Sequence, residues 1–310
     1  MTALICGSVA FDTIMVFHDH FKNHILPDKI HMLNVSFMAP DMRREFGGCA
    51  GNIAYTLNLL GGDAAPMATV GRDFEPYAQW MEKCGVSTRY LKVIEESYTG
   101  QAFITTDQDD NQITAFHPGA MSESHQNKVS DAQGVSIGII SPDGRDGMIE
   151  HARQFKEAGI PFIFDPGQQL PMFGKEDLIT FLEQATWLTV NDYEMQLILD
   201  KTGLTPAQVA DYVEALIVTL GSEGAEIVTQ DKTIIIPVVK AKSIEDPTGC
   251  GDVFRSGLLY GLMNGFDWEI TGRIASLLGS IKIEHNGIQN HHFTLDEFKA
   301  RFQSEFKMTF

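Results

Sequence analysis

The stretch EDPTGCGDVFRSG, residues 245–257, sets an acid directly behind a glycine-rich turn and in front of an apolar run. Pro247 and Thr248 favour a turn, and Gly249 and Gly251 flank Cys250. Val253, Phe254, Gly257, Leu258 and Gly261 then recur at helical packing distances. The pattern predicts a turn over residues 248–251 whose N–H groups face outward at a helix start. Glycine there lets backbone approach a ligand closely, and the positive helix end favours an anion. Gly249, Cys250 and Gly251 are therefore candidates for an anion hole. Asp252, beside a phosphate that would repel it, is useful as a general base on an attacking hydroxyl. The plain alternative is a helix-start acid behind an ordinary turn. Cys250 reads as a small filler rather than a nucleophile.

Other candidates are scattered along the chain. In FGGCAGNIAYTLNLLGG, residues 46–62, Gly47 and Gly48 precede a predicted helix that carries Asn52, which can both donate to and accept from a hydroxyl. Asp12 follows ICGSVAF at the expected end of the first strand, where a carboxylate can accept from both hydroxyls of a vicinal diol. TVNDYEM ends a strand at Asn191 with Glu194 three residues on, a spacing for orienting hydrated Mg²⁺ or for a helix cap. VTLGSEGA places Thr219, Gly221 and Gly224 at a strand-to-hairpin turn suited to phosphate or ribose. No GxxxxGK[ST] occurs, which excludes a P-loop enzyme. An oxidoreductase on a Rossmann sheet would need GxGxxG after the first strand, and none is there. His285, His291 and His292 have no acidic partner at metal-ligand spacing and read as surface histidines.

The elements that must position these residues follow from the apolar pattern. ALICG, VSIGIIS (135–141), PFIFDPG (161–167), WLTVN (187–191) and ALIVTLG (215–221) are short β-branched runs separated by helix-length segments. Predicted helices cover 52–60, 146–158 and 192–199, and TLDEFKARFQSEF forms another with Thr294 as its cap. Strands apolar on both faces, alternating with helices, indicate an α/β fold: a three-layer sandwich with a mostly parallel central sheet. Each run ends in Gly, Ser, Asp or Asn, where open α/β sheets place their ligands. Residues 13–45 and 99–120 break the rhythm. Residues 99–120 have the pattern of a hairpin turning at DQDDNQ. Together the two segments predict a small antiparallel β lid, built into a single domain over 1–310.

Composition narrows the function classes. With 41 acids against 23 basic residues and a net charge of −18, the chain has no basic footprint for nucleic acid or an anionic membrane surface. A nucleotide needs only a local positive site. Cys6, Cys49, Cys84 and Cys250 show no CxxC or zinc spacing and read as free thiols of a reducing cytosol. The first residues lack the basic region of a signal peptide, and no apolar stretch reaches the ~20 residues of a membrane span. A cytoplasmic protein, monomer or homodimer, is expected.

GGCAGN followed by DPTGCGD resembles the paired signatures of the ribokinase-like (PfkB) carbohydrate and nucleoside kinases. The likeness extends through Asp12, the lid segments, NDYE, VTLGSEG and EHNGIQNH, and within the family it is greatest to bacterial adenosine kinases. It implies Asp252 as base, and Gly249, Cys250 and Gly251 as anion hole. Ser8, Asp12, Gly47, Gly48 and Asn52 would hold the sugar, with Phe116 stacking on a base. Asn191, Glu194, Thr219, Gly221, Gly224 and Asn286 would serve ATP and Mg²⁺, Glu194 reaching the metal through water. K⁺ enters consideration as a monovalent cofactor. The implied reaction is ATP-dependent phosphorylation of the adenosine 5′-hydroxyl in purine salvage. The alternatives are a ribokinase or fructokinase, or a non-catalytic nucleoside-binding relative.

Two departures stand out. Pro247 and Cys250 differ from the usual second signature without touching its chemistry. Where many members carry a lid arginine, this chain reads DNQITAF with Gln112, so charge neutralisation passes to Mg²⁺, the anion hole or another residue such as Arg255. The lid is rich in Phe17, Phe37, Met38, Phe103 and Phe116, which form either a purine platform or the lid's own core.

Overall fold

Each of the five apolar runs becomes a strand, because its side chains are covered on both faces by helices. The computed structural model describes residues 1–25, 35–109 and 111–310. In the large sheet, β1 (Thr2–Cys6) pairs in parallel with β4 (Asp63–Gly71) on one side and β8 (Val135–Ile140) on the other. Beyond β4 lies β5 (Tyr90–Ile94), and beyond β8 follow β9 (Phe162–Phe164), β10 (Trp187–Asn191) and β11 (Ala215–Thr219), all parallel. An antiparallel hairpin, β12 (Ala225–Thr229) and β13 (Thr233–Ile236), closes the edge. The strand order β13-β12-β11-β10-β9-β8-β1-β4-β5 reverses direction at β1, so the ends of β1 and its neighbours open a crevice of the kind that binds ligands.

Two apolar cores flank this sheet. One packs α1 (Cys49–Leu59), α2 (Glu75–Lys83), α7 (Cys250–Met263), α8 (Trp268–Ile283) and α9 (Leu295–Phe306) against it; the other packs α3 (Arg145–Ala158), α4 (Lys175–Gln184), α5 (Asp192–Thr202) and α6 (Pro206–Tyr212). The helices follow their local signals. In α3, Met148, His151, Ala152 and Phe155 form the buried stripe. Asn191 with Glu194 and Thr294 with Glu297 form capping boxes on α5 and α9. The small residues of α7 let it lie close on α8: a Cβ at Gly257 would meet Ala275 Cα at 2.5 Å.

The small sheet is four-stranded, in the order β3 (Asp41–Gly47), β2 (Ala10–Val16), β6 (Gly100–Thr106), β7 (Gln112–His117). Two sequence expectations are refined here. Asp12 is not at the end of the first strand but within β2, so the carboxylate belongs to the small sheet. The chain turns out of β1 at Gly7 and Ser8 and starts another strand at once, a break that an unbroken apolar run conceals. Phe17 and Phe37 do form the lid's own core, packing with Phe21 at centroid distances of 4.9–5.9 Å, whereas Phe103, Phe116 and Met38 stay exposed. Residues 26–34 of the expected 13–45 lid segment lie outside the described residues.

Candidate active site

The turn ahead of α7 has the form expected of it. Gly249 sits at the N-cap with φ 79°, a left-handed conformation that favours glycine. Among the described residues, the N–H groups of Gly251 and Asp252 have no acceptor, so two donors at the positive end of a fourteen-residue helix stand free for an anion. The Cys250 N–H, expected among them, is instead bonded back to the Pro247 carbonyl at 3.2 Å. Its Sγ points at Gly279 O, 3.8 Å away on α8, and burial pushes the thiol pKa up, as a space-filling cysteine requires.

Asp252 is held from the opposite helix. Asn52 Nδ2 donates to Asp252 Oδ2 at 2.8 Å, joining the two signature segments across 200 residues of sequence. Asn52 is fixed in turn: Gln289 Nε2 donates to Asn52 Oδ1 (2.9 Å) and to the Tyr77 hydroxyl (2.6 Å), and Tyr77 donates to Gly47 O (2.8 Å). Trp80 Nε1 closes the network on Gln289 Oε1 at 2.9 Å. Burial pushes the Asp252 carboxyl up to about 6, with the Asp165 charge adding to it and the Asn52 hydrogen bond opposing. A partly buried carboxylate with that value is ionised at neutral pH yet basic enough to take a proton.

Asp12 faces the same space. Burial raises it to about 6, followed by repulsion from Asp252 and Glu45. Gly47 is needed beside it, since a Cβ there would lie 2.6 Å from Asp12 Oδ2. Strand register puts Asp12, Glu45, Ala102 and Phe116 on one face of the small sheet, with Phe116 49% exposed. Gly48 starts α1 with φ 85°. Ser8 caps that helix, its Oγ accepting from Cys49 N at 3.1 Å and its carbonyl from Ala50 N at 2.9 Å, so one lone pair of its hydroxyl is committed to backbone and its proton and second lone pair remain to offer.

On the other side of Asp252 lies an acidic group with one counter-charge. Arg255 Nη2 donates to Asp165 Oδ1 at 2.9 Å, both side chains buried, and lies 4.0 Å from Glu194 Oε2. Arg255 is thus brought to the site, but held by Asp165 rather than extended toward it. Glu194 and Asn191 form the capping box, with Asn191 N donating to Glu194 Oε2 at 2.8 Å. Burial and the Asp165 charge raise the Glu194 carboxyl. Three carboxylates against one guanidinium, two of them raised in pKa, leave an excess of negative charge on this side of Asp252. Thr219 ends β11 beside Asn191, and Gly221 and Gly224 form the β11–β12 turn with φ of 57° and 98°. Asn286 is exposed in the loop after α8, next to Gly287, whose N–H donates to Asp246 Oδ2 at 3.0 Å.

Several functional neighbours carry no sequence signal. Tyr77 has no motif of its own, and Gln289 lies within EHNGIQNH with no role read for it; only the fold brings the two to Asn52. Asp165 ends a strand, which marks its place but not its partner. One histidine departs from the surface reading: His291 is buried, its ring between Thr56 Oγ (3.1 Å) and Ile288 O (3.2 Å), and burial lowers its pKa to about 3. His292 is exposed as expected.

Known proteins share this fold. The pfkB family carbohydrate kinase profile matches residues 9–293. The solved structure of Burkholderia thailandensis nucleoside kinase in complex with inosine has a TM-score of 0.91 at 50% identity, covering 99% of each chain. The same kinase in complex with ADP-inosine gives 0.88 at 52% identity, over 99% of this chain and 97% of that one. A nucleoside kinase of Methanocaldococcus jannaschii is 33% identical over 275 residues, 87% of this chain and 89% of its own. Because the family match runs unbroken through the site from Asp12 to Gln289, the chain belongs to the pfkB family of carbohydrate kinases, phosphotransferases with a hydroxyl acceptor.

Proposed function

We propose that this kinase phosphorylates the 5′-hydroxyl of a purine nucleoside with ATP, adenosine being the leading acceptor. The observation that carries the reading is the pairing of a partly buried, ionised Asp252 with the free N–H groups of Gly251 and Asp252, facing Asp12 across the crevice. Asp252 takes the proton as the acceptor oxygen bonds to the γ-phosphorus and the bond from that phosphorus to the β-bridging oxygen breaks. The two N–H groups meet the phosphoryl charge, and Asn52 keeps the base in place. Asp12 accepts from the ribose 2′- and 3′-hydroxyls. Mg²⁺, when bound, supplies charge neutralisation of the phosphates, and Glu194 and Asp165 are the carboxylates suited to it. The small sheet acts as a lid that excludes water.

A nucleoside rather than a bare sugar is favoured by Phe116, which is half exposed on the Asp12 face with no aromatic neighbour among the described residues. The inosine and ADP-inosine complexes of the Burkholderia relative point the same way. The test is ADP release with a panel of adenosine, inosine, guanosine, cytidine, ribose and fructose. Adenosine is expected to give the highest kcat/KM, and Phe116→Ala to narrow its lead over ribose by about 1–2 kcal/mol, the scale of an aromatic–base stack. Ribose or fructose outrunning every nucleoside would make the protein a sugar kinase. No turnover with any acceptor would leave a nucleoside-binding relative.

A further inference from the structure

Asn52 and Gln289 are buried side-chain amides, and each could turn over and exchange its oxygen for its nitrogen. An amide offers N–H on one side and an acceptor on the other. Its orientation is therefore set by partners that can play only one part, and two such partners are present. The Trp80 indole can only donate, and its Nε1 meets Gln289 Oε1 at 2.9 Å. The Gly47 carbonyl can only accept, and it takes the Tyr77 hydroxyl proton at 2.8 Å. That leaves Tyr77 Oη as an acceptor for Gln289 Nε2, 2.6 Å away. Both ends give Gln289 the same orientation.

The consequence reaches the base. Gln289 Nε2 points its other proton at Asn52 Oδ1, 2.9 Å away, so Asn52 must turn Nδ2 toward Asp252 Oδ2, 2.8 Å away. A hydrogen bond donated to a carboxylate favours its charged form. Turned over, Asn52 would face Asp252 with an oxygen, which only the protonated acid can satisfy. The helix makes room for this relay: a Cβ at Gly51 would collide with the Tyr77 hydroxyl and lie 3.3 Å from Gln289 Nε2. Tyr55 and Thr56 hold the loop carrying Gln289 against α1, Tyr55 donating to His291 O at 2.7 Å and Thr56 Oγ meeting the His291 ring at 3.1 Å. The titratable groups facing Asp252 are Asp165 after β9, Arg255 and Cys250 on α7, Cys49 on α1, Asp12 on β2, and Tyr77 on α2, which burial keeps neutral. Replacing Gln289 leaves all of them in place.

We propose that Gln289, oriented by Trp80 and Tyr77, is a positioning residue that sets the Asn52 amide with its N–H toward Asp252 and so keeps the base in its proton-accepting form. Gln289 acts only through Asn52 and needs no contact with the reacting atoms. The proposal rests on the kinase reading above, in which Asp252 is the base.

The experiment compares wild type, Gln289→Met and Trp80→Phe across the pH range with ATP and the fastest acceptor of the panel above. Methionine keeps the length of the side chain and removes its N–H. Loss of a donor raises the pKa of a carboxylate. The acid limb of kcat/KM should therefore move up by about one pH unit in Gln289→Met, the scale of one charged hydrogen bond. The loss should be about fivefold at pH 6 and fade to less than about twofold at pH 9, where Asp252 is ionised in either protein. Trp80→Phe leaves Tyr77 to orient Gln289, so its limb should move the same way by about half as much. Added to Asn52→Ala, Gln289→Met should change kcat/KM by less than about twofold, because effects passing through one contact do not add. In protein carrying ¹³C at the aspartate carboxyl carbons, with Asp252→Asn for assignment, the Asp252 titration should move up with the limb, a readout that needs no turnover. An equal loss at every pH, or an additive effect in Asn52→Ala, overturns the proposal and leaves a purely structural glutamine. Should Gln289→Met not fold, Trp80→Phe decides, and a limb and titration that both stay in place overturn it. A wild type without turnover on any acceptor defeats the kinase reading instead, while a shifted Asp252 titration would still uphold the role of Gln289.

Discussion

Replacing Asp252 with asparagine should make the protein more stable and less active, in proportions set by pH. The carboxyl has its pKa raised from 3.8 to about 6, chiefly by burial. Between those values the folded chain holds a proton that the unfolded chain has released. Stability therefore falls as pH rises through that window and stays lower above it. At about 1.4 kcal/mol for each pH unit, the ionised group costs about 2–3 kcal/mol at pH 8. Asp252 is only partly exposed to solvent, and the screening that this allows moves the figure toward the lower end. Asparagine keeps the shape, and its Oδ1 can still accept from Asn52 Nδ2. The variant should thus gain about 2 kcal/mol at pH 8, a rise in Tm of about 4 °C for a chain of this size, and gain nothing below about pH 4. Asp12 should follow, since part of its own elevation comes from the Asp252 charge. In the same samples kcat should fall by about 10²-fold, the usual loss of a general base. Calorimetry at pH 4, 6 and 8, with ADP release measured alongside, makes the check. A variant no more stable than wild type at pH 8, or one with the same gain at pH 4, would refute the reasoning; near-wild-type turnover would remove Asp252 from the chemistry.

Asp12→Ala should raise the acceptor KM strongly and leave that of ATP nearly unchanged. 2′-Deoxyadenosine should lose roughly 1–3 kcal/mol with wild type, the cost of an unpaired buried acceptor, and equal rates for the two nucleosides would contradict the diol contact. Arg43 is the one basic side chain among the described residues on the Asp12 face of the small sheet, half exposed and 3.4 Å from Glu45. Lid closure should bring it to the phosphates that Arg255 cannot reach. Arg43→Gln should therefore raise the ATP KM about tenfold, the scale of one charged hydrogen bond. Hydrogen exchange in β3 and β7 should slow when nucleoside and nucleotide are both bound, and unchanged exchange would mean a rigid wall.

The sequence by itself determined the layers, the parallel strands and the turn before α7. These depend on local pattern: β-branched runs buried on both faces, glycines at a left-handed N-cap, and acids and hydroxyls at helix starts. Asn52, Gly47 and Asp252 could be named because each sits in a short motif whose backbone geometry is set within a few residues. What only the tertiary structure decided is which side chains meet. Asp12 changed sheets because a three-residue break at Gly7, Ser8 and Val9 outweighs the continuity of the apolar run. The Asp252 carboxylate is fixed by a partner 200 residues away and by Gln289 and Tyr77 behind it. Arg255, placed by sequence near the phosphates, is held by Asp165 from another strand. Lys282 belongs to no motif in the sequence, and His291 reads as one more surface histidine. Both are interior because three separate segments close over them. Burial and long-range pairing are properties of the closed chain, and it is these that set the charge, basicity and position of the groups on which catalysis depends.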